Sequence, residues 1–147
     1  MDRLTKEKRS WNMSRIRSRN TGPELLVRSL LRRLRLRFRT HWPSLPGRPD
    51  FVLPEARIAI FVHGCFWHRH KRCRFAYTPR SKVAFWQEKF RVNQARDKKV
   101  MVDLRKSPWR PLVIWECQLR DTDTAEQTVR IAIQRLLLRP ASEKKNS

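Results

Sequence analysis

Two stretches of this chain, IAIFV at 58–62 and PLVIWE at 111–116, are apolar enough to be strands buried on both faces. A sheet built around them constrains everything else. TGPELLVRSLLRRL opens with a capping-box pattern, Thr21 to Glu24, with Pro23 in the first turn. Leu26, Leu30 and Leu34 continue it as one helical stripe. LRLRFRT at 34–40 then alternates strictly, which predicts a strand with Leu36 and Phe38 inward. LPGRPDFVL reads as a turn and a short strand, and PEAR turns the chain back into 58–62. Further on, Ser81 is expected to cap a helix running to about Lys106, with Phe85, Trp86, Phe90, Val100 and Leu104 toward the core. A last helix is expected from Thr124 to Leu138. The order helix, three strands, helix, strand, helix predicts an α/β class, a mixed sheet with helices on its faces. The length fits one domain: a body over 21–138, a basic arm over 1–20 and a flexible tail over 139–147.

Charge narrows the partner. Lys+Arg outnumber Asp+Glu by 35 to 13, for a formal net charge of +22. Solubility does not require that much, so a polyanion is implied. Arginine dominates the early chain, and its fork matches phosphate and guanine edges, which favours nucleic acid. A ribosome-associated protein or a basic tail is the blander reading. With no membrane span and no signal-peptide core in the sequence, the expected compartment is the cytoplasm.

The stretch FVHGCFWHRHKRCRF at 61–75 carries most of the chemistry. Cys65, His70 and Cys73 have the spacing C-x4-H-x2-C directly after the first apolar strand, and Cys117 follows the second. If those strands are neighbours, their ends bring the four together as a closed, structural zinc site. Three unrelated thiols and a surface histidine are the alternative. Asp50, at the start of a strand, is ordinarily a turn cap. Yet the following strand runs back beside it and ends at Val62-His63, so Asp50 and the Val62 carbonyl could share a hard cation such as Mg²⁺. His63 and His68, outside the zinc count, are candidates to take a proton from an attacking water. These parts suffice for hydrolysis of a DNA backbone. A thiol enzyme, with Cys65 attacking and His63 or His68 as base, uses the same atoms but leaves the charge and the other cysteines unexplained. Phe66 and Trp67, on a loop expected to offer little core, suit a wedge between base pairs; Met13 in the basic arm is a second candidate wedge.

NMSRIRSRNTGPE, LPGRPDFVLPEARIAIFVHGCFWHRHKRC, FWQEKFRVNQARD and VIWEC occur in that order over roughly residues 9 to 120. Together they resemble the very short patch repair (Vsr) DNA mismatch endonucleases. The resemblance implies a restriction-endonuclease-like core, α-β-β-β-α-β. It implies nicking of double-stranded DNA on the 5′ side of the T in a T:G mismatch left by deamination of 5-methylcytosine. It implies Asp50 and the Val62 carbonyl on Mg²⁺, His68 as general base and His63 at the phosphate. Glu24 would be an additional active-site acid, Cys65, His70, Cys73 and Cys117 the ligands of structural Zn²⁺, and Phe66, Trp67 and Met13 intercalating residues. A monomer on DNA is expected, with mismatch-repair proteins as candidate partners. Val62 stands where the family often has Thr, a change that is silent if only the carbonyl binds metal. The competing readings are a restriction-type nuclease on matched duplex and a zinc-stabilised DNA-binding module without catalysis.

Overall fold

The computed structural model describes residues 22–40, 42 and 44–139. The expected capping residue Thr21, the arm at 1–20 with Met13, and the tail from 140 on lie outside the described residues. The elements are α1 (Gly22–Arg33), β1 (Arg39–Thr40), β2 (Phe51–Leu53), β3 (Ile58–His63), α2 (Val83–Arg105), β4 (Arg110–Trp115), a 3-10 turn (Glu116–Leu119) and α3 (Thr122–Leu138). The strands form one sheet in the order β1-β2-β3-β4. β1/β2 and β2/β3 are antiparallel, and β3/β4 is parallel. The predicted element order and mixed sheet are both present.

β3 is the central strand. Alternation sends Ile58 and Ile60 into one layer with Val27, Leu30 and Leu31 of α1 and Val129 and Ile133 of α3. Ala59 and Phe61 point the other way, to Leu104, Val100 and Met101 of α2. The sheet is therefore covered on both faces, and each fully buried Leu, Ile or Val contributes roughly 1.5–3 kcal/mol.

Three boundaries differ from expectation. The strand predicted over 34–40 keeps its alternation, with Arg35, Arg37 and Arg39 exposed and the residues between them half-buried, but its ladder covers only Arg39–Thr40. The preceding residues are used to end α1. Arg35 takes a left-handed φ of 58°, the Leu36 N–H donates to the Leu31 carbonyl (3.1 Å) and the Arg35 N–H to Arg32 (3.0 Å). This double closure satisfies carbonyls at the helix end. Ser81 does not cap α2; Lys82, at φ 53°, precedes it without a side-chain bond. Phe85 is 48% exposed rather than in the core, because the first turns of α2 pack on the loop at 64–77 and not on the sheet. α3 begins earlier than Thr124, with Asp121 accepting from the Asp123 N–H (3.0 Å). At its far end the Arg110 guanidinium donates to the carbonyls of Leu136, Arg139 and Ala56, tying β4 and the β2–β3 turn to the helix terminus.

Candidate active site and metal centre

The parallel register builds the first half of the site. His63 ends β3 opposite Trp115, which ends β4. Cys65 and Cys117 each stand two residues further on, so equal offsets past paired positions place them together. The Cys117 N–H donates to Cys65 Sγ (3.4 Å). His70 Nδ1 lies 3.4 Å from Cys117 Sγ and 3.7 Å from Cys65 Sγ. The donor atoms of Cys65, His70, Cys73 and Cys117 all lie within 4.8 Å of one another. Bond lengths of about 2.3 Å to sulfur and about 2.0 Å to nitrogen put tetrahedral zinc edges at roughly 3.5–3.8 Å, so this donor set fits zinc. Burial pushes the Cys65 thiol up to about 12, and a bound cation would favour its thiolate. The same shift counts against a thiol nucleophile, which needs a depressed pKa and access, whereas Cys65 is fully buried.

The second half opens on the neighbouring edge of β3. Phe51 is the register partner of Ile60, yet the Asp50 N–H also donates to the Ile60 carbonyl (2.9 Å). Two residues thus face one, a bulge that re-aims the Asp50 side chain. Its Oδ2 accepts the Val62 N–H (2.7 Å). Glu24, in the first turn of α1, approaches from across the cleft. Burial, reinforced by the neighbouring Glu24 carboxylate, raises Asp50 to about 7 against the lowering effect of the Val62 N–H. A carboxylate pair so placed, beside a free strand end, fits a hard divalent cation. The cleft holds about 310 Å³, and Arg48 and Arg96 also line it.

Opposite these acids His63 and His68 stack face to face, centroids 3.8 Å apart and planes within 5°. His68 Nδ1 lies 2.6 Å from Asp97 Oδ2. Burial, then the adjoining His68, lowers His63 to about 4, so its imidazole is neutral at neutral pH. His63, His68 and Asp97 form a second cluster of metal-capable groups. Asp50, Val62, His63, His68 and Glu24 are thus brought to one cleft, with the cysteine cluster directly behind it.

Phe66 and Trp67 are placed otherwise than the sequence suggested. The loop does offer them core: Trp67 is only 8% exposed. The Phe66 ring packs against Trp67, Tyr77, Trp86 and Phe90 at centroid distances of 5.0–5.5 Å. Arg69 lies 3.9 Å above Phe90 and donates to the Phe66 and Tyr77 carbonyls, closing the cluster from outside. The aromatic pair is stowed, not displayed. Sequence reasoning missed Asp97, Asn93 and Trp115. A signal for the first two existed: Phe90, Asn93, Asp97, Val100 and Leu104 form one helical stripe in which two polar residues interrupt an apolar face. Asn93 uses its place to donate to the Trp67 carbonyl (3.4 Å).

Known proteins share much of this sequence. Residues 1–74 match the family described as DNA mismatch endonuclease Vsr. The chain is 45% identical over 129 residues to the type II nicking enzyme V.XorIIP of Xanthomonas oryzae pv. oryzae, covering 88% of this chain and 94% of that protein. It is 46% identical over 115 residues to the DNA mismatch endonuclease Vsr of Escherichia coli, covering 78% and 73%. Similarity to the type II nicking enzyme V.NmeAIP of Neisseria meningitidis is 39% over 120 residues, covering 82% and 85%. No described helix is long and apolar enough to cross a membrane.

Proposed function

Because the chain belongs to the Vsr DNA mismatch endonuclease family, and so is a DNA endonuclease of mismatch repair, we propose that it nicks duplex DNA at a T:G mismatch. The cut falls 5′ to the T, on the strand carrying it, and starts replacement of a short patch. The observation that carries this reading is the meeting, in one cleft, of the Asp50–Glu24 acids with the His63–His68–Asp97 array.

His68 is the general base. Its Nδ1 faces Asp97 Oδ2; in the neutral tautomer that donates Nδ1–H to that carboxylate, Nε2 accepts a proton from the attacking water. His63, held neutral by burial, donates an N–H to the scissile phosphate. Arg48 and Arg96 add positive charge at the cleft walls. Asp50, Glu24 and the Val62 carbonyl would hold Mg²⁺; in an extended strand that carbonyl turns to the same edge as the Val62 N–H, the edge Asp50 occupies. When bound, Mg²⁺ supplies charge neutralisation at the phosphate and its leaving oxygen. Cys65, His70, Cys73 and Cys117 would hold Zn²⁺ as a closed structural ion that fixes the loop between the two strand ends.

Recognition rests on deformability. A T:G wobble stacks less well than a proper pair, so opening the step beside it costs less than the few kcal/mol of intact DNA. Phe66 and Trp67 leave their aromatic cluster to fill that step, with Met13 of the arm as the partner wedge. The chain acts as a monomer, and its α-β-β-β-α-β order supports a restriction-endonuclease-like core. The test is a labelled duplex with a single T:G pair beside a matched duplex of the same sequence, each with and without Mg²⁺. Nicking of the T strand in the mismatched duplex alone, in Mg²⁺ alone, is expected. Equal cutting of both duplexes favours a restriction-type nuclease, and mismatch binding without a nick favours a non-catalytic module.

A further inference from the structure

We propose that Trp115 is a positioning residue, orienting the catalytic histidine pair from the cysteine–histidine cluster through an unbroken series of ring contacts. The proposal rests on the catalytic reading of His63 and His68 above. Trp115 touches two histidine rings. The His70 ring stacks on it at 4.1 Å, with planes 10° apart. His63 meets it edge-on at 5.3 Å and 76°. His63 in turn stacks on His68, and His68 is held by Asp97. A zinc ligand, an indole, two imidazoles and a carboxylate therefore follow one another without a gap.

The His63 ring depends on this contact. Among the described residues no hydrogen bond reaches its nitrogens; Phe61, Trp115 and His68 are its ring neighbours. The terminal torsion of a histidine is broad and roughly two-fold, so packing alone decides where its nitrogens point. Trp115 is itself fixed. Its backbone N–H donates to Gln118 Oε1 (2.8 Å), its strand position pairs with His63, and its ring is held by the stacked His70. A group packed on His70 thus also sets the angle of the His63 imidazole. Misplacement of a reacting group by about 1 Å can lower a rate by roughly 10²-fold, which is the scale of the effect expected here.

Trp115→Leu keeps apolar bulk and removes the ring, while Trp115→Phe restores a ring. In Trp115→Leu we expect one zinc per chain and T:G-duplex affinity within about twofold of the parent, with kcat lower by about 10²-fold. Trp115→Phe should recover most of that loss. Independently of turnover, the imidazole ¹H–¹⁵N signals of His63 should shift or broaden in Trp115→Leu. An unchanged kcat in Trp115→Leu overturns the proposal. So does loss of zinc together with kcat, which would make Trp115 a mere prop of the metal centre. If the parent protein itself fails to nick the T:G duplex, the catalytic reading falls; the His63 signals then decide this proposal alone, and unmoved signals overturn it.

Discussion

Asp97 and His68 come from different elements, one from the middle of α2 and the other from the loop after β3, and their side chains lie 2.6 Å apart. The contact holds the ring and favours the tautomer that donates Nδ1–H to the carboxylate. Asp97→Asn keeps the shape and removes the acceptor charge, letting His68 present the wrong nitrogen. Single-turnover nicking should fall by about 10²–10⁴-fold, with duplex affinity little changed. Nicking within threefold of the parent would show that His68 needs no partner.

Asp50 and His63 make opposite demands on pH. Asp50 sits at about 7 in the folded chain against an ordinary 3.8. Between those values the folded chain keeps a proton that the unfolded chain has lost, so stability falls as pH rises. His63 sits at about 4 against 6.5. There the unfolded chain takes up a proton that the folded chain refuses, so stability rises with pH. From about pH 4 to 6.5 the two slopes cancel. Asp50→Asn removes the first and should leave stability climbing by up to about 1.4 kcal/mol per pH unit across that window. Urea unfolding without added Mg²⁺ measures this, and identical pH profiles for the two proteins would refute it. The same variant should not nick.

The cysteine cluster is expected to carry one zinc per chain. Cys117→Ser leaves three ligands and an unclamped loop, so zinc content should drop and the thermal midpoint with it, by several degrees or more. Metal analysis beside calorimetry checks both. Full zinc and an unchanged midpoint would mean that Cys117 is not a ligand.

Trp67 is stowed against Trp86 and Phe66, so its removal affects two states. Trp67→Ala should cost about 3–5 kcal/mol of stability and also lower the preference for mismatched over matched duplex. Competition binding below the unfolding temperature separates the two effects. A preserved preference would discard the wedge.

Gly47 begins the approach to Asp50. Its φ is +76°, and a Cβ there would lie 2.5 Å from Val100 Cγ1 and 3.1 Å from Phe61 Cε1. Torsion and space both exclude a side chain. Gly47→Ala should destabilise by about 2–4 kcal/mol and loosen the cleft, seen as a lower urea midpoint. An unaltered midpoint would contradict the packing of this turn on α2.

The order of elements and the location of the site could be read from the chain because their determinants are local. Two apolar runs each lead into a cysteine, and Asp50 opens the strand that folds back beside the first of those runs. Their pairing follows from chemistry as much as from hydropathy, since the Cys65–His70–Cys73 set is one ligand short without Cys117. What escaped depends on how far one element overhangs another. Phe85 was expected in the core and Phe66 and Trp67 outside it, because nothing in their spacing says that α2 begins past the sheet and roofs the loop. Asp97 carries no local signature beyond a carboxylate on a basic helix. Its meaning appears only when that face of α2 is laid over His68. The strand after α1 was overdrawn for a different reason: alternation reports burial, and burial outlasted the ladder there.

The parallel pairing of β3 with β4 spans everything from residue 63 to residue 115, α2 included. A nascent chain leaving the ribosome therefore carries Asp50, His63 and His68 long before it carries Trp115 and Cys117. Until the last third is made, His63 has no indole beside it and the cysteine–histidine cluster lacks Cys117. A chain that stops short of residue 110 therefore lacks the strand with which β3 pairs in parallel.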